Sequence, residues 1–192
     1  MAPKVKITKE EILSAAVELV RTGGEQSLNA RNIASALNCS TQPIFSNFAT
    51  MEELRYAVLV QADALYRDYI QREMESGKYP AYKASGMAYI RFAKEEKELF
   101  KLLYMRTRKE DSCVDDTVLF NQMTAMVGET TGLKEDRTTL FHLEMWAYVH
   151  GIATMFATGF FNIEWDLVSK MLTDAYQGLK KQYESEESHV RD

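Results

Sequence analysis

The chain reads as an all-α protein, and three observations say so. Proline is scarce, with 3 in 192 residues, while Leu, Ala, Glu, Lys and Met are plentiful. Apolar residues recur at helical spacing, i, i+3, i+4, i+7, rather than alternating. Short polar residues suited to helix caps stand in front of the periodic segments, and glycines stand behind several of them.

Nine helices follow. The first covers about 8–22, with Thr8 as cap and Glu11 three residues on, the spacing of a capping box. Its apolar stripe is Ile12, Ala15, Ala16, Leu19 and Val20, and Gly23-Gly24 ends it. The second covers about 30–37 behind Asn29, and the third about 41–48 behind Ser40. Asn38 stands between them, where the turn needs a left-handed residue. The fourth starts near Met51 behind Thr50 and runs to about Ser76, before Gly77. Pro80 is placed to open the fifth, over about 80–95, and the sixth covers about 97–108. The seventh covers about 114–131 and the eighth about 136–160. The ninth covers about 164–184, with Asn162 as cap and Glu164 and Asp166 in its first turn, where carboxylates suit the helix dipole.

Composition divides the chain near residue 50. Of 21 Phe, Trp and Tyr residues, only Phe45 and Phe48 precede residue 55, and eight of the ten methionines follow it. Residues 1–50 therefore read as a small aliphatic domain, and residues 51–192 as a larger one rich in aromatic and thioether side chains. The net charge is −5, which argues against indiscriminate nucleic-acid binding. Residues 1–55 are neutral, with six basic and six acidic residues, and the remainder carries the deficit. Lys4, Lys6 and Lys9 precede any acid and form a basic arm. No apolar run approaches the ~20 residues of a membrane span. No signal-peptide pattern opens the sequence, and two cysteines make no disulfide framework. A cytoplasmic protein is expected. Cys39 reads as a small buried hydrophobe, and the acidic neighbours of Cys113 disfavour a thiolate there.

The second and third helices carry the functional signal. Ile33, Ala34, Leu37, Ile44 and Phe48 face inward and complete a three-helix core with the first helix. Thr41, Gln42, Pro43, Ser46 and Asn47 then face outward. This is the arrangement of a helix-turn-helix, which places the start of its second helix in the DNA major groove. Gln and Asn can bond adenine edges, and Ser and Thr can bond bases or phosphates. The same pattern also suits an ordinary helical hairpin with a solvated polar face.

At these residues the chain resembles the TetR family of bacterial transcriptional repressors. The match runs through I-L-S-A-A-V-E-L, Gly23-Gly24, N-A-R-N-I-A, S-T-Q-P-I-F-S-N-F and M-E-E-L, over about 8–58. The resemblance implies a homodimer that binds a palindromic operator through the N-terminal domain. It implies a C-terminal domain that binds a small effector and dimerises. Carried over by position, the family's cap of the second helix falls on Asn29 and its DNA contacts on Arg31, Thr41, Gln42, Pro43, Ser46 and Asn47; Lys6 of the basic arm, Ser40 at the cap of the third helix, and Phe45 and Met51 complete the expected DNA-facing set. Two positions depart from the family's habit. Many relatives place a tyrosine at position 45 and a lysine at position 51, each meeting a phosphate. Phe45 and Met51 supply neither grip, so a protein that keeps the scaffold but has weak or lost DNA binding is the alternative reading.

In the larger domain, residues 89–106 and M-W-A-Y-V-H-G-I-A (145–153) resemble one branch of the family's effector domain, marked by Trp146, His150 and Gly151. Candidate effector-binding residues are Tyr66, Tyr69, Met105, Met123, Met126, Trp146 and His150. Methionines adapt their shape, and aromatics offer apolar walls with a polar tip, so a small, largely apolar effector is expected. Each of them equally suits a packed core. Ala147, Gly151, Thr154 and Thr158 form a strip of small residues on the eighth helix. With Val168, Met171, Leu172, Ala175 and Leu179 of the ninth, they suit either a four-helix dimer seam or a close crossing within the chain. Enzymatic readings find no support. His142 and His150 are about 12 Å apart along one helix, His142 and Glu144 do not share a face, and no phosphate loop, nucleophile elbow or C-x-x-C is present. No metal or cofactor is expected.

Overall fold

A computed structural model describes residues 7–106 and 117–189. Lys4, Lys6 and Cys113 lie outside the described residues. Among those described there are nine α-helices and no strand: α1 (Lys9–Gly23), α2 (Ala30–Ala36), α3 (Gln42–Asn47), α4 (Met51–Glu75), α5 (Ala81–Glu95), α6 (Lys97–Tyr104), α7 (Thr117–Thr131), α8 (Glu135–Thr158) and α9 (Trp165–His189).

The expected start signals work largely as chemistry requires. Thr8 closes a full capping box: its hydroxyl accepts from the Glu11 N–H at 3.2 Å, and its own N–H donates to the Glu11 carboxylate at 2.8 Å. Asn29 accepts from the Asn32 N–H at 2.9 Å. Thr50 accepts from the Glu53 N–H at 3.1 Å, and the Glu53 carboxylate reaches back to the Ala49 N–H. Asn38 adopts φ +49°, so the turn between α2 and α3 is left-handed at that residue.

Two expected caps are displaced. Ser40 does not cap α3. Thr41 holds that position with its backbone alone, its carbonyl accepting from Ile44 and Phe45, and Pro43 removes one of the N–H groups a side-chain cap would have satisfied. Asn162 is likewise too early: α9 begins at Trp165, and the first helical bond runs from the Val168 N–H to the Glu164 carbonyl.

The described contacts form two units. One is Met1–Leu65 with Glu96–Val114, and the other is Tyr66–Glu95 with Asp115–Asp192. In the first, α1 packs against α2, α3 and α6. Ile12, Ala16, Val17 and Val20 of α1 are buried, as are Ile33, Ala34, Ile44, Phe48, Leu99 and Phe100 of the first unit. Ala15, Leu19 and Leu37 are only half covered, and so is Cys39. Cys39 sits in the tight turn, where the local backbone rather than its thiol is engaged: its N–H bonds the Ala34 carbonyl.

In the second unit α5 is the central rod. Ala84, Met87, Ala88, Ile90, Phe92 and Ala93 leave it buried on nearly every side. α7, α8 and α9 pack around it. Gly86 permits the closest approach, since a Cβ there would stand 3.2 Å from Leu172 and 3.4 Å from Val149. A second cluster of Val127, Leu133, Phe141, Met145 and Tyr183 closes the unit against α9.

Candidate functional site

The helix-turn-helix is built by α2, the Asn38 turn and α3. Ile44 and Phe48 anchor α3 to the core. That leaves Gln42, Phe45 and Ser46 exposed on one face, with Thr41, Pro43 and Asn47 half covered. Ser40 and Arg31 are exposed, and Asn29 and Met51 are half covered. Thus ten of the eleven expected DNA-facing residues are described and reach the surface of one unit; Lys6 lies outside the described residues.

Hydrogen bonding sorts them further. Asn29 is occupied as the cap of α2. The Ser46 hydroxyl donates to the Gln42 carbonyl at 2.9 Å. The Asn47 amide donates to the Pro43 carbonyl at 2.8 Å and, more weakly, to the Ile7 carbonyl at 3.5 Å. Asn47 therefore braces the start of the chain against α3. Phe45 is 50 % exposed, whereas Ile44 beside it is 0 % exposed.

The cations near this surface are mostly engaged. Residues 7–55 contain four, at positions 9, 21, 31 and 55. Lys9 pairs with Glu53 at 3.2 Å and lies 4.5 Å over the Phe48 ring. Arg21 pairs with Glu96 at 2.7 Å and with Glu18, and Arg55 pairs with Glu25. Glu53 is held below the usual carboxylate range by the Ala49 N–H first and by Lys9 second. Arg31 is exposed and has no ion pair among the described residues.

In the second unit the structure links four of the candidate effector-binding residues into one run of rings. Tyr69 meets Phe92 edge-on at 5.5 Å, Phe92 meets Tyr66 at 5.5 Å, and Tyr66 meets Tyr89 edge-on at 5.6 Å. The Tyr89 hydroxyl is 2.9 Å from His150 Nδ1, and Trp146 stacks on His150 at 5.2 Å and 20°. Burial lowers the affinity of His150 for a proton. Trp146 is 45 % exposed, so the run passes from the core to the surface. Met123 is buried and Met126 half covered on α7. Met105 follows α6 in the first unit and is exposed.

Tyr89 and Phe92 were not among the expected residues. Their helical spacing on α5 marks only a buried face, and their partners lie on other helices. The same holds for a second aromatic set. His142, 6 % exposed, accepts or donates at 2.9 Å to the Tyr82 hydroxyl and lies 4.9 Å from the Phe120 ring. Burial pushes its imidazole down to about 4. An open groove of about 600 Å³ lies elsewhere, between α7 and α8, lined by Thr124, Ala125, Gly128, Lys134, Asp136 and Thr139; none of the candidate effector residues lines it. Among the described residues no group of three or more His, Cys, Asp or Glu is placed to hold a metal ion, and no helix is long and apolar enough to cross a membrane.

The small-residue strip of α8 faces outward. Ala147, Gly151 and Thr158 are exposed and Thr154 half covered, and a Cβ on Gly151 would meet nothing within 4 Å. A close crossing within the chain is therefore not its role. Leu140, Leu143, Trp146 and Met155 extend this exposed side. The expectation for α9 needs correction. Val168 (0 % exposed) and Leu172 (3 % exposed) are consumed by the chain's own core, and Ala175 and Leu179 pack on the Phe141 cluster. Spacing identified an apolar stripe but not which side covers it. The opposite stripe is Leu167, Met171, Asp174 and Gly178, exposed apart from the half-covered Met171.

Residues 82–175 match the family model of the tetracyclin repressor-like C-terminal domain. No curated protein matches the sequence closely enough to count as a relative. Among solved structures, a TetR-like transcriptional regulator from Rhodococcus sp. RHA1 is similar at a TM-score of 0.69 and 17 % identity, over 88 % of this chain and 94 % of that one. A protein of unknown function from the same organism superposes at 0.72 with 18 % identity, over 95 % and 98 %. A TetR-family member from Streptomyces coelicolor A3 superposes at 0.58 with 16 % identity, over 86 % and 96 %. At such identities the structures speak for the fold, and the family match speaks for residues 82–175, most of which lie in the second unit. The chain shares the fold of TetR-like regulators, and its residues 82–175 match the tetracyclin repressor-like C-terminal domain.

Proposed function

We propose that the chain is a ligand-responsive transcriptional repressor, a homodimer that binds a palindromic operator and leaves it when a small, largely apolar effector binds. The observation that carries the reading is the α3 face: Gln42, Phe45 and Ser46 stand exposed together behind a left-handed turn, on a helix anchored by Ile44 and Phe48. Residues 1–50 serve as the DNA-binding domain, and residues 51–192 bind effector and dimerise. The dimer forms through the outward strip of α8 and the Leu167–Gly178 side of α9, which together offer small and apolar residues to a partner helix pair. The effector acts by population shift. It binds better to one conformation of the larger domain, and the chain passes between the two units inside α4 and again between α5 and α6. Only one spacing of the two reading helices, ~34–36 Å or a related multiple, fits both half-sites.

A second reading is favoured by the engaged cations. Lys9, Arg21 and Arg55 are in ion pairs, and Met51 stands where a cation would grip. A helical effector-binding protein without DNA binding fits those facts. A gel-shift at low salt with the DNA upstream of the chain's own gene separates the two. A retarded band that dissolves with rising effector supports the repressor; no binding to that DNA or to any duplex selected from a random pool removes it. A thermal-shift screen of apolar and aromatic compounds finds the effector, because a ligand of the native state raises its stability.

A further inference from the structure

We propose that Phe45 is a specificity-determining residue that reads thymine C5 methyl groups in the major groove. The inference rests on the DNA-binding reading above and gives it a base preference. Phe45 is half exposed on the one face where α3 is free, while Ile33, Ile44 and Phe48 of the same unit are at 0–1 % exposure. A phenyl ring has no donor for a phosphate or a base edge. What it offers a groove is apolar surface, and the only apolar group on a base edge there is the thymine methyl.

Its neighbours on α3 narrow the choice. Ser46 and Asn47 spend their donors on the carbonyls of Gln42 and Pro43. Gln42 is exposed three residues before Phe45, and its amide suits the N6 and N7 edge of adenine. Adenine pairs with thymine, so the two side chains favour the same base pairs, one by hydrogen bonds and one by methyl burial. The scarcity of unpaired cations around α3 makes such contacts matter more, because little sequence-independent attraction stands beside them.

The test uses the full chain. A duplex pool randomised over about two helical turns is selected at low salt, and the enriched duplex is remade with deoxyuridine in place of thymine. That exchange removes only the methyl. Each half-site should lose about fourfold in affinity, the worth of one buried carbon, and a dimer about 15-fold. Phe45→Ala should weaken binding to the thymine duplex and bring the thymine-to-uracil ratio to one. Phe45→Tyr, which keeps the ring, should retain the ratio. Thermal melts of both variants check the fold. Equal wild-type binding to the thymine and uracil duplexes overturns the role of Phe45 while DNA binding stands. No enriched duplex and no binding at low salt overturns the DNA-binding reading and this inference with it.

Discussion

Met51→Lys is the sharpest test of the proposed docking on DNA. Met51 is the first residue of α4 and half covered, so a lysine there can extend from the helix end without entering the core. If that end faces a phosphate, each subunit gains one cationic contact and the dimer two. Each contact steepens the dependence of log affinity on log salt by about 0.9 units, so the dimer gains about 1.8. Over a fourfold rise in salt, from about 50 to 200 mM, the variant should lose about 12-fold more affinity than the wild type. It should bind more tightly at the low end. The substitution places a positive charge at a helix N-terminus, which costs about 0.3–1 kcal/mol and lowers the melting midpoint by about 1–4 °C. Fluorescence anisotropy with a selected duplex at several salt concentrations reads the slope, and Met51→Gln supplies an uncharged control that should leave it unchanged. A folded Met51→Lys protein with the wild-type slope would refute the docking in which α4 starts against the DNA backbone.

Three further outcomes are expected. His142 titrates near 6.5 when unfolded but near 4 in its buried site, so the unfolded chain binds the extra proton between those values; stability is full above pH 6.5 and falls by up to about 3 kcal/mol as pH drops to 4. Chemical denaturation across that range should show the loss, and His142→Phe should flatten it while costing about 1–3 kcal/mol for the stranded Tyr82 hydroxyl. Gly151→Arg, at an open position, should leave the monomer folded and raise the dimer dissociation constant by a hundredfold or more, from about 3–5 kcal/mol of unpaired buried charge; an unchanged dimer in sedimentation would place the seam elsewhere. Asn38→Val should cost about 1–2 kcal/mol because φ is +49° there, and Asn38→Gly should not; matching melting curves for the two would remove the strain argument.

The helices were legible because their signals are local. Thr8 with Glu11, Asn29 with Asn32, and Thr50 with Glu53 are each three residues apart, within one turn. Errors arose where a second local preference competed, as when Pro43 shifted the cap of α3 from Ser40 to Thr41. What a face packs against was not legible. The apolar stripe through Val168 and Leu172 reads the same whether its partner is α5 or another subunit. The Trp146–His150 stack spans four residues of one helix and was within reach, but the Tyr89 contact to His150 joins positions 61 apart. Asn47 shows the same limit at the candidate site. Its sequence position marks it as a base reader, whereas its amide holds the backbone of Pro43 and Ile7.

On the proposed reading, the engaged cations lower affinity and leave discrimination to the base contacts. Non-specific binding comes almost wholly from cations on phosphates, while base contacts discriminate among sequences. On the proposed reading, pairing Lys9 with Glu53 and Arg55 with Glu25 and placing Met51 at the start of α4 lowers the first term and leaves the Gln42 and Phe45 contacts intact. The phosphate term enters both affinities and cancels from their ratio, so each affinity falls while the ratio that governs occupancy in a genome rests on the base contacts. Glu53→Gln tests this, because it removes the charge that pairs with Lys9 while keeping an oxygen to accept from the Ala49 N–H behind α3. Binding to the operator and to a duplex lacking it should strengthen by similar factors, with a steeper salt slope for both. A gain confined to one of the two duplexes would show that the Lys9–Glu53 pair tunes selectivity and not overall grip.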